Sequence, residues 1–259
     1  MRIISLCPSL TELVFDLGAG EEVVGRTRYC IEPKGVVESV PVLGGTKNPK
    51  VEEVVRLAPD LVLLNEEENR REDAEALIEA GLTCRSYLPQ TVEDTAAMVC
   101  DIGAAVGRTE AGERIAGEIE ARAEAAREAA KRGPEVSWAY LIWRKPWMAA
   151  GGDTFVDALL TLPGGRNVFG THEERYPAVT AEELRTADPQ RIWLSSEPFP
   201  FENKHIDEIA SATGLPPSRF RLVDGQDLSW HGSRTRRGID YAVELLEEAR
   251  KELAPASPS

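Results

Sequence analysis

Three short stretches of this chain bring together side chains able to hold a ligand. The first is Trp143-Arg144-Lys145-Pro146-Trp147-Met148. Tryptophan offers a broad apolar face, and arginine a planar cation that stacks and makes paired hydrogen bonds; together they can clamp a large flat or anionic molecule. Trp147 is the expected contact and Arg144 the expected anion partner, because Trp143 reads as the end of a strand. The plainer alternative is one core tryptophan beside solvated cations. The second stretch is Asp227-Leu228-Ser229-Trp230-His231-Gly232-Ser233-Arg234. Here Trp230 and His231 are expected to face the ligand and Arg234 to meet its polar groups, with a surface imidazole as the alternative for His231. The third is Glu197-Pro198-Phe199-Pro200-Phe201, two aromatics on a proline-stiffened loop. Glu67, in the acidic loop Glu66-Glu67-Glu68-Asn69, is its counterpart, although such runs are more often solvated helix starts. Tyr29 and Cys30 follow the second expected strand. A reactive or metal-binding Cys30 is one reading, while Cys7 is expected to be buried and inert.

Missing signatures narrow the chemistry. There is no GxSxG, no Walker A motif and no GxGxxG after the first strand. The histidines are His172, His205 and His231, all in the second half, so a bare transition-metal site shared by both halves would draw no histidine from the first. No catalytic residue and no required cofactor is expected. His231 is kept only as an axial ligand to a metal already held in a chelate. The four cysteines (Cys7, Cys30, Cys84, Cys100) show no CxxC spacing, which points to reduced thiols. A net charge of −14 argues against nucleic acid as a partner. No apolar run is long enough for a signal peptide or a membrane span. The expectation is a cytoplasmic monomer with no membrane insertion, or a periplasmic or extracytoplasmic one if a leader has been removed.

The elements that carry these loops follow from an internal echo. Val51–Glu67 and Ala181–Glu197 match 130 positions apart: Glu52, Glu53, Pro59, Leu64 and Glu67 recur as Glu182, Glu183, Pro189, Leu194 and Glu197. Each copy reads as an amphipathic helix stopped before a proline, then an apolar strand. Between them Arg108–Arg132, rich in Ala, Glu and Arg, reads as one polar helix of roughly 37 Å ending at Gly133-Pro134. Strands alternating with helices imply mostly parallel sheets. The fold class is therefore α/β: two lobes joined by one long helix, with residues 1–107 as the N-terminal lobe, 108–132 as the connecting helix and 133–259 as the C-terminal lobe. The last of these ends in a final helix and a disordered tail, Pro255–Ser259. Ligands of open α/β sheets bind outside the carboxyl ends of strands, so the expected site is a cleft between the lobes. The strands and helices place Cys7–Ser9, Arg26–Pro33, Asn65–Asn69, Trp143–Asp153, Glu197–Phe201 and Asp224–Arg234 at those ends, the long loop after Trp143 included. Ser9 with Thr11-Glu12 is expected to cap the first helix, and Trp138 to lie inside a strand.

Three segments in order, Arg2-Ile3-Ile4-Ser5-Leu6-Cys7-Pro8-Ser9-Leu10-Thr11-Glu12-Leu13, Ala58-Pro59-Asp60-Leu61-Val62 and Pro163-Gly164-Gly165-Arg166-Asn167-Val168-Phe169, resemble the class III solute-binding proteins, the helical-backbone metal-chelate receptors. The similarity runs from Arg2 to about Leu246, and the nearest branch is the cobalamin-binding component of ABC importers. The resemblance implies two α/β lobes on one long helix, a small-molecule metal chelate as ligand, an ABC permease as partner, and binding without chemistry. By position Trp230 resembles the tryptophan such proteins place against a corrin ring, and Tyr29 a tyrosine of the first-lobe cleft. A corrinoid is the first expectation, with a siderophore or haem next. The alternative from another class is a cytoplasmic enzyme acting on such a chelate through Cys30 or His231.

Overall fold

Leu61-Val62-Leu63-Leu64-Asn65 shows no apolar alternation, and all five residues are buried. Burial on both faces is the signature of a central parallel strand. The computed structural model, which describes residues 1–254 and so leaves the expected tail Pro255–Ser259 outside the described residues, makes it the third strand in a four-stranded parallel sheet. The chain divides into two units. Unit 1 comprises Met1–Pro89, Glu93–Ile119 and Trp230–Arg234; unit 2 comprises Gln90–Val92, Glu120–Ser229 and the chain from Thr235 on. The five residues Trp230–Arg234 correct the expected division, which assigned everything after residue 133 to the second lobe.

In unit 1 the elements run β1 (Ile3–Ser5), α1 (Pro8–Asp16), β2 (Val23–Arg26), the two-residue strands β3 (Gly44–Gly45) and β4 (Asn48–Pro49), α2 (Val51–Arg56), β5 (Leu61–Asn65), α3 (Arg71–Glu79), β6 (Cys84–Tyr87), α4 (Val92–Ala105) and α5 (Thr109–Ala130). The sheet order is β2-β1-β5-β6. Ile4, Leu6, Leu43, Val54, Val62, Leu64 and Leu77 form one buried cluster against it. The expected cap of α1 is not used: Cys7 is the N-cap, without a side-chain cap bond, and Pro8 takes the first turn, where its missing N–H costs nothing. The helices α4 and α5 meet at glycines, since a Cβ on Gly103 would lie 2.9 Å from the Gly112 Cα. The chain leaves unit 1 within α5, between Ile119 and Glu120.

Unit 2 runs β7 (Val136–Trp143), β8 (Trp147–Ala149), α6 (Phe155–Thr161), β9 (Gly165–Asn167), β10 (Ala178–Val179), α7 (Ala181–Ala187), β11 (Arg191–Ser195), α8 (Asn203–Thr213), β12 (Phe220–Val223), α9 (Gly225–Ser229) and α10 (Thr235–Leu253). Strands β7, β11 and β12 are parallel, and β9 is parallel to the first half of β7. Strand β8 folds back antiparallel on the second half of β7, pairing Trp143 with Met148. The expected long loop after Trp143 is therefore a hairpin, and the expected loop Asp224–Arg234 contains the helix α9. Trp138 is fully buried, as expected of a strand residue, with its ring 5.7 Å from that of Trp193. The two echo segments, α2–β5 and α7–β11, lie in separate sheets. Among the described residues no helix is long and apolar enough to cross a membrane.

Candidate functional site

In unit 1 the loop after β5, the end of β6, the start of α1 and the segment around His231 are fastened by a buried polar network centred on Asn65. Its side-chain oxygen accepts the backbone N–H groups of Glu67 and Glu68, each at 3.0 Å. That fixes the amide orientation, so the nitrogen donates to the Tyr87 carbonyl at 3.0 Å and to His231 Nε2 at 2.9 Å. An Nε2 that accepts leaves the imidazole proton on Nδ1, which points to Ser9 Oγ at 3.2 Å. Burial pushes the His231 pKa down to about 4, so the ring is neutral. Serine, histidine and asparagine thus stand in line, but the histidine offers the serine a proton instead of a lone pair. It cannot act as general base in that tautomer.

This geometry corrects several expectations. His231 is only 6% exposed and both its ring nitrogens are engaged, so it is not placed as an axial ligand. Trp230 is 7% exposed, with the Arg234 guanidinium 4.9 Å above its ring. Arg234 in turn is paired with Glu12, Nη2 to Oε1 at 2.6 Å and Nε to Oε2 at 2.8 Å. Burial raises the Glu12 carboxyl above its ordinary value, and the arginine's hydrogen bonds counter only part of that. Cys30 is fully buried, with the Thr11 and Thr27 hydroxyls 3.0 and 3.2 Å from its sulfur. Burial raises the thiols of Cys30 and Cys7, the latter to about 12, so neither is a ready nucleophile. Tyr29 is the open residue here, more than half exposed, with the Arg28 guanidinium 5.9 Å from its ring. Glu67 is half-buried, and its carbonyl accepts from Lys47 Nζ.

In unit 2 Trp143 ends its strand as expected and is more exposed than Trp147. Trp147, in β8, is half-buried and packs on the core that contains Ala139, Leu141 and Val179. Trp143, the last residue of β7, is 40% exposed. Its ring meets Phe199 edge-on at 6.0 Å, and Phe199 meets Phe201 at 4.9 Å and His205 at 5.2 Å. Phe201 is buried in the core with Ile209, while Phe199 stays half-exposed. Beside these rings Arg144 binds Glu208 of α8: Nε lies 3.1 and 3.0 Å from the two carboxylate oxygens and Nη2 2.8 Å from Oε2. Those hydrogen bonds hold the Glu208 carboxyl below its ordinary value. Glu197 accepts from Ser229 Oγ at 3.1 Å. The start of α9 sits so close to this loop that a Cβ on Gly225 would lie 2.7 Å from Glu197 Cγ, and only glycine fits.

Residues 3–215 match the family model described as Periplasmic binding protein. The chain belongs to that family. It is a binding protein of the class III kind and not an enzyme. It is 26% identical over 250 residues to a vitamin B12-binding protein of Vibrio campbellii, covering 96% of this chain and 90% of that one. Its fold is that of the periplasmic vitamin B12 binding protein BtuF of Vibrio cholerae (TM-score 0.83, 21% identity, 96% and 98% of the two chains). It is equally that of the periplasmic heme-binding protein RhuT from Roseiflexus sp. RS-1 in its apo form (TM-score 0.82, 24% identity, 96% and 98%).

Within this family member the expected site residues separate into three groups. Tyr29 is exposed, Glu67, Arg144, Trp147, Glu197, Phe199 and Arg234 are half-buried, and Cys30, Trp230 and His231 are enclosed in unit 1. Trp143, Glu208, Ser9 and Asn65 were not among the expected residues. Asn65 had a visible signal, as the polar residue ending an apolar strand, and Ser9 as a polar residue at the start of the helix that follows one, whereas Glu208 had none. Among the described residues, no group of three or more His, Cys, Asp or Glu is placed to hold a bare metal ion.

Proposed function

We propose that this protein binds a flat metal chelate, a corrinoid by first choice, and carries it unchanged. The observation that carries the reading is the pair of rings at the carboxyl ends of β7 and β11 in unit 2, the exposed Trp143 and the half-exposed Phe199; in unit 1, Tyr29 by itself lies open after β2. Such rings pay little entropy on binding and bury a large apolar area against a planar ligand. The similarity to vitamin B12-binding relatives supports a corrinoid. Haem is the second reading, supported by solved heme-binding proteins of the same fold. The chelate is cargo, and no separate cofactor is needed. The natural partner is an ABC permease, served by a monomer, and the family description favours the extracytoplasmic alternative for its location.

Thermal unfolding with cyanocobalamin and with hemin tests the reading. A ligand at 100 times its Kd stabilises the native state by about 2.7 kcal/mol, which gives a melting shift of several degrees. The recovered ligand should be chemically unchanged. No shift with either probe would sink the proposal.

A further inference from the structure

Arg144 and Arg234 were both expected to meet anionic or amide groups of a ligand, and each already holds a carboxylate. In unit 1 Glu12 takes Nε and Nη2 of Arg234. In unit 2 Glu208 takes Nε and Nη2 of Arg144, the fork of donors a ligand carboxylate would need. The second pair flanks the open rings. Trp143 immediately precedes Arg144, and Glu208 lies one turn along α8 from His205, which touches Phe199. Among the described residues Arg144 Nη1 has no acceptor. What the pair presents beside the rings is therefore the free Nη1 amino group as donor and one carboxylate as acceptor.

We propose that Glu208 is a specificity-determining residue: by closing the Arg144 fork beside Trp143 and Phe199, it makes this face of unit 2 favour a flat chelate rimmed by amides over one rimmed by free carboxylates. A primary amide offers a carbonyl to Nη1 and an NH2 group to the Glu208 oxygens, so it satisfies both halves of the pair. A carboxylate can use only the guanidinium, and it must either displace Glu208 or lie against its negative charge. Discrimination then comes as much from repelling the wrong rim as from binding the right one. The inference rests on the reading that the ligand is a flat chelate and adds which chemical edge it carries.

The test compares affinities for cyanocobalamin, whose rim carries amides, and hemin, whose rim carries two carboxylates. Wild type should prefer cyanocobalamin. Glu208→Gln frees the guanidinium and removes the repulsion, and should raise the ratio of hemin to cyanocobalamin affinity about tenfold. Glu208→Ala, a second way to open the fork, should move the ratio in the same direction. Adding Arg144→Gln to Glu208→Gln should cancel the gain, which a general loosening of α8 would not do. A ratio unmoved by both Glu208 variants, or a wild type that prefers hemin, overturns the inference and leaves chelate binding standing. A wild type that binds neither probe overturns both.

Discussion

Strands β5 and β11 stand 130 positions apart and end in the same turn, yet they are fastened to different parts of the molecule. At the end of β5 the Asn65 side chain accepts the N–H of Glu67 at 3.0 Å; at the end of β11 the Ser195 hydroxyl accepts the N–H of Glu197 at 3.2 Å. The turn is one device used twice. Asn65 has an amide nitrogen to spare and spends it on Tyr87 and on His231, 166 residues further along the chain. Ser195 has only its hydroxyl, and its second partner is Tyr140 on the neighbouring strand, at 2.9 Å. One polar side chain at a strand end thus decides whether a loop is tied locally or recruits a remote segment. In unit 1 the recruited segment is Trp230–Arg234, which is why those residues are buried there.

The deepest difference between the copies lies two residues back along each strand, where Leu63 in β5 corresponds to Trp193 in β11. Both are almost completely buried, but Trp193 also packs against Trp138, the two rings tilted by 36°. Replacing it by its counterpart, Trp193→Leu, removes a ring contact and leaves a void. Denaturant titration should show a loss of about 3 kcal/mol. A loss below about 1 kcal/mol would mean that the two positions are interchangeable and that the aromatic core of unit 2 adds little.

The Asn65–His231 tie should appear in the pH dependence of stability. A histidine held near pKa 4 when folded and near 6.5 when unfolded takes up its proton first in the unfolded chain. The stability it contributes is full above about pH 6.5 and is lost as pH falls toward 4, by at most about 3 kcal/mol. Glu12, raised when folded by burial, works in the opposite direction, so the net loss should be smaller than the His231 contribution alone. In His231→Gln the melting temperature should fall less steeply across that window. An identical slope in variant and wild type would show that His231 is not held neutral.

The contrast also explains what the sequence made legible. The residues of β7, the helix–proline–strand echo and the positions of the loops after β1, β2, β5 and β11 follow from apolar runs, prolines and glycines, all local signals. The burial of His231 does not, because its partners Ser9 and Asn65 are 222 and 166 residues away. The same holds for Glu208, an ordinary helix-surface glutamate until Arg144 arrives from 64 residues upstream. Strand β8 was hidden because three residues cannot show a period. Had the hairpin been visible, pairing Trp143 with Met148 would have put Trp143 beside its turn.

The smallest expected effect concerns the residue before each echo proline. Ala58 has φ +43° and Asp188 φ +45°, so both copies end their helix with a left-handed residue. The following proline disfavours the right-handed helical region at this position, which helps explain why both chains turn the other way. The cost is unequal. The alanine Cβ crowds the next carbonyl in this region at a cost of about 1 kcal/mol, whereas Asn and Asp tolerate it through local hydrogen bonds. Ala58 is exposed, so a larger side chain there meets no packing limit. Ala58→Asn should therefore stabilise the protein by about 0.5 kcal/mol, a gain of one or two degrees in Tm. The reciprocal Asp188→Ala should lose a similar amount, plus the small contribution of its exposed ion pair with Arg219. Asp188→Asn separates the two, since it removes the charge and keeps the backbone preference. If Ala58→Asn is neutral while Asp188→Asn costs as much as Asp188→Ala, the shared backbone angle carries no strain worth relieving, and the ion pair alone distinguishes the two copies at this turn.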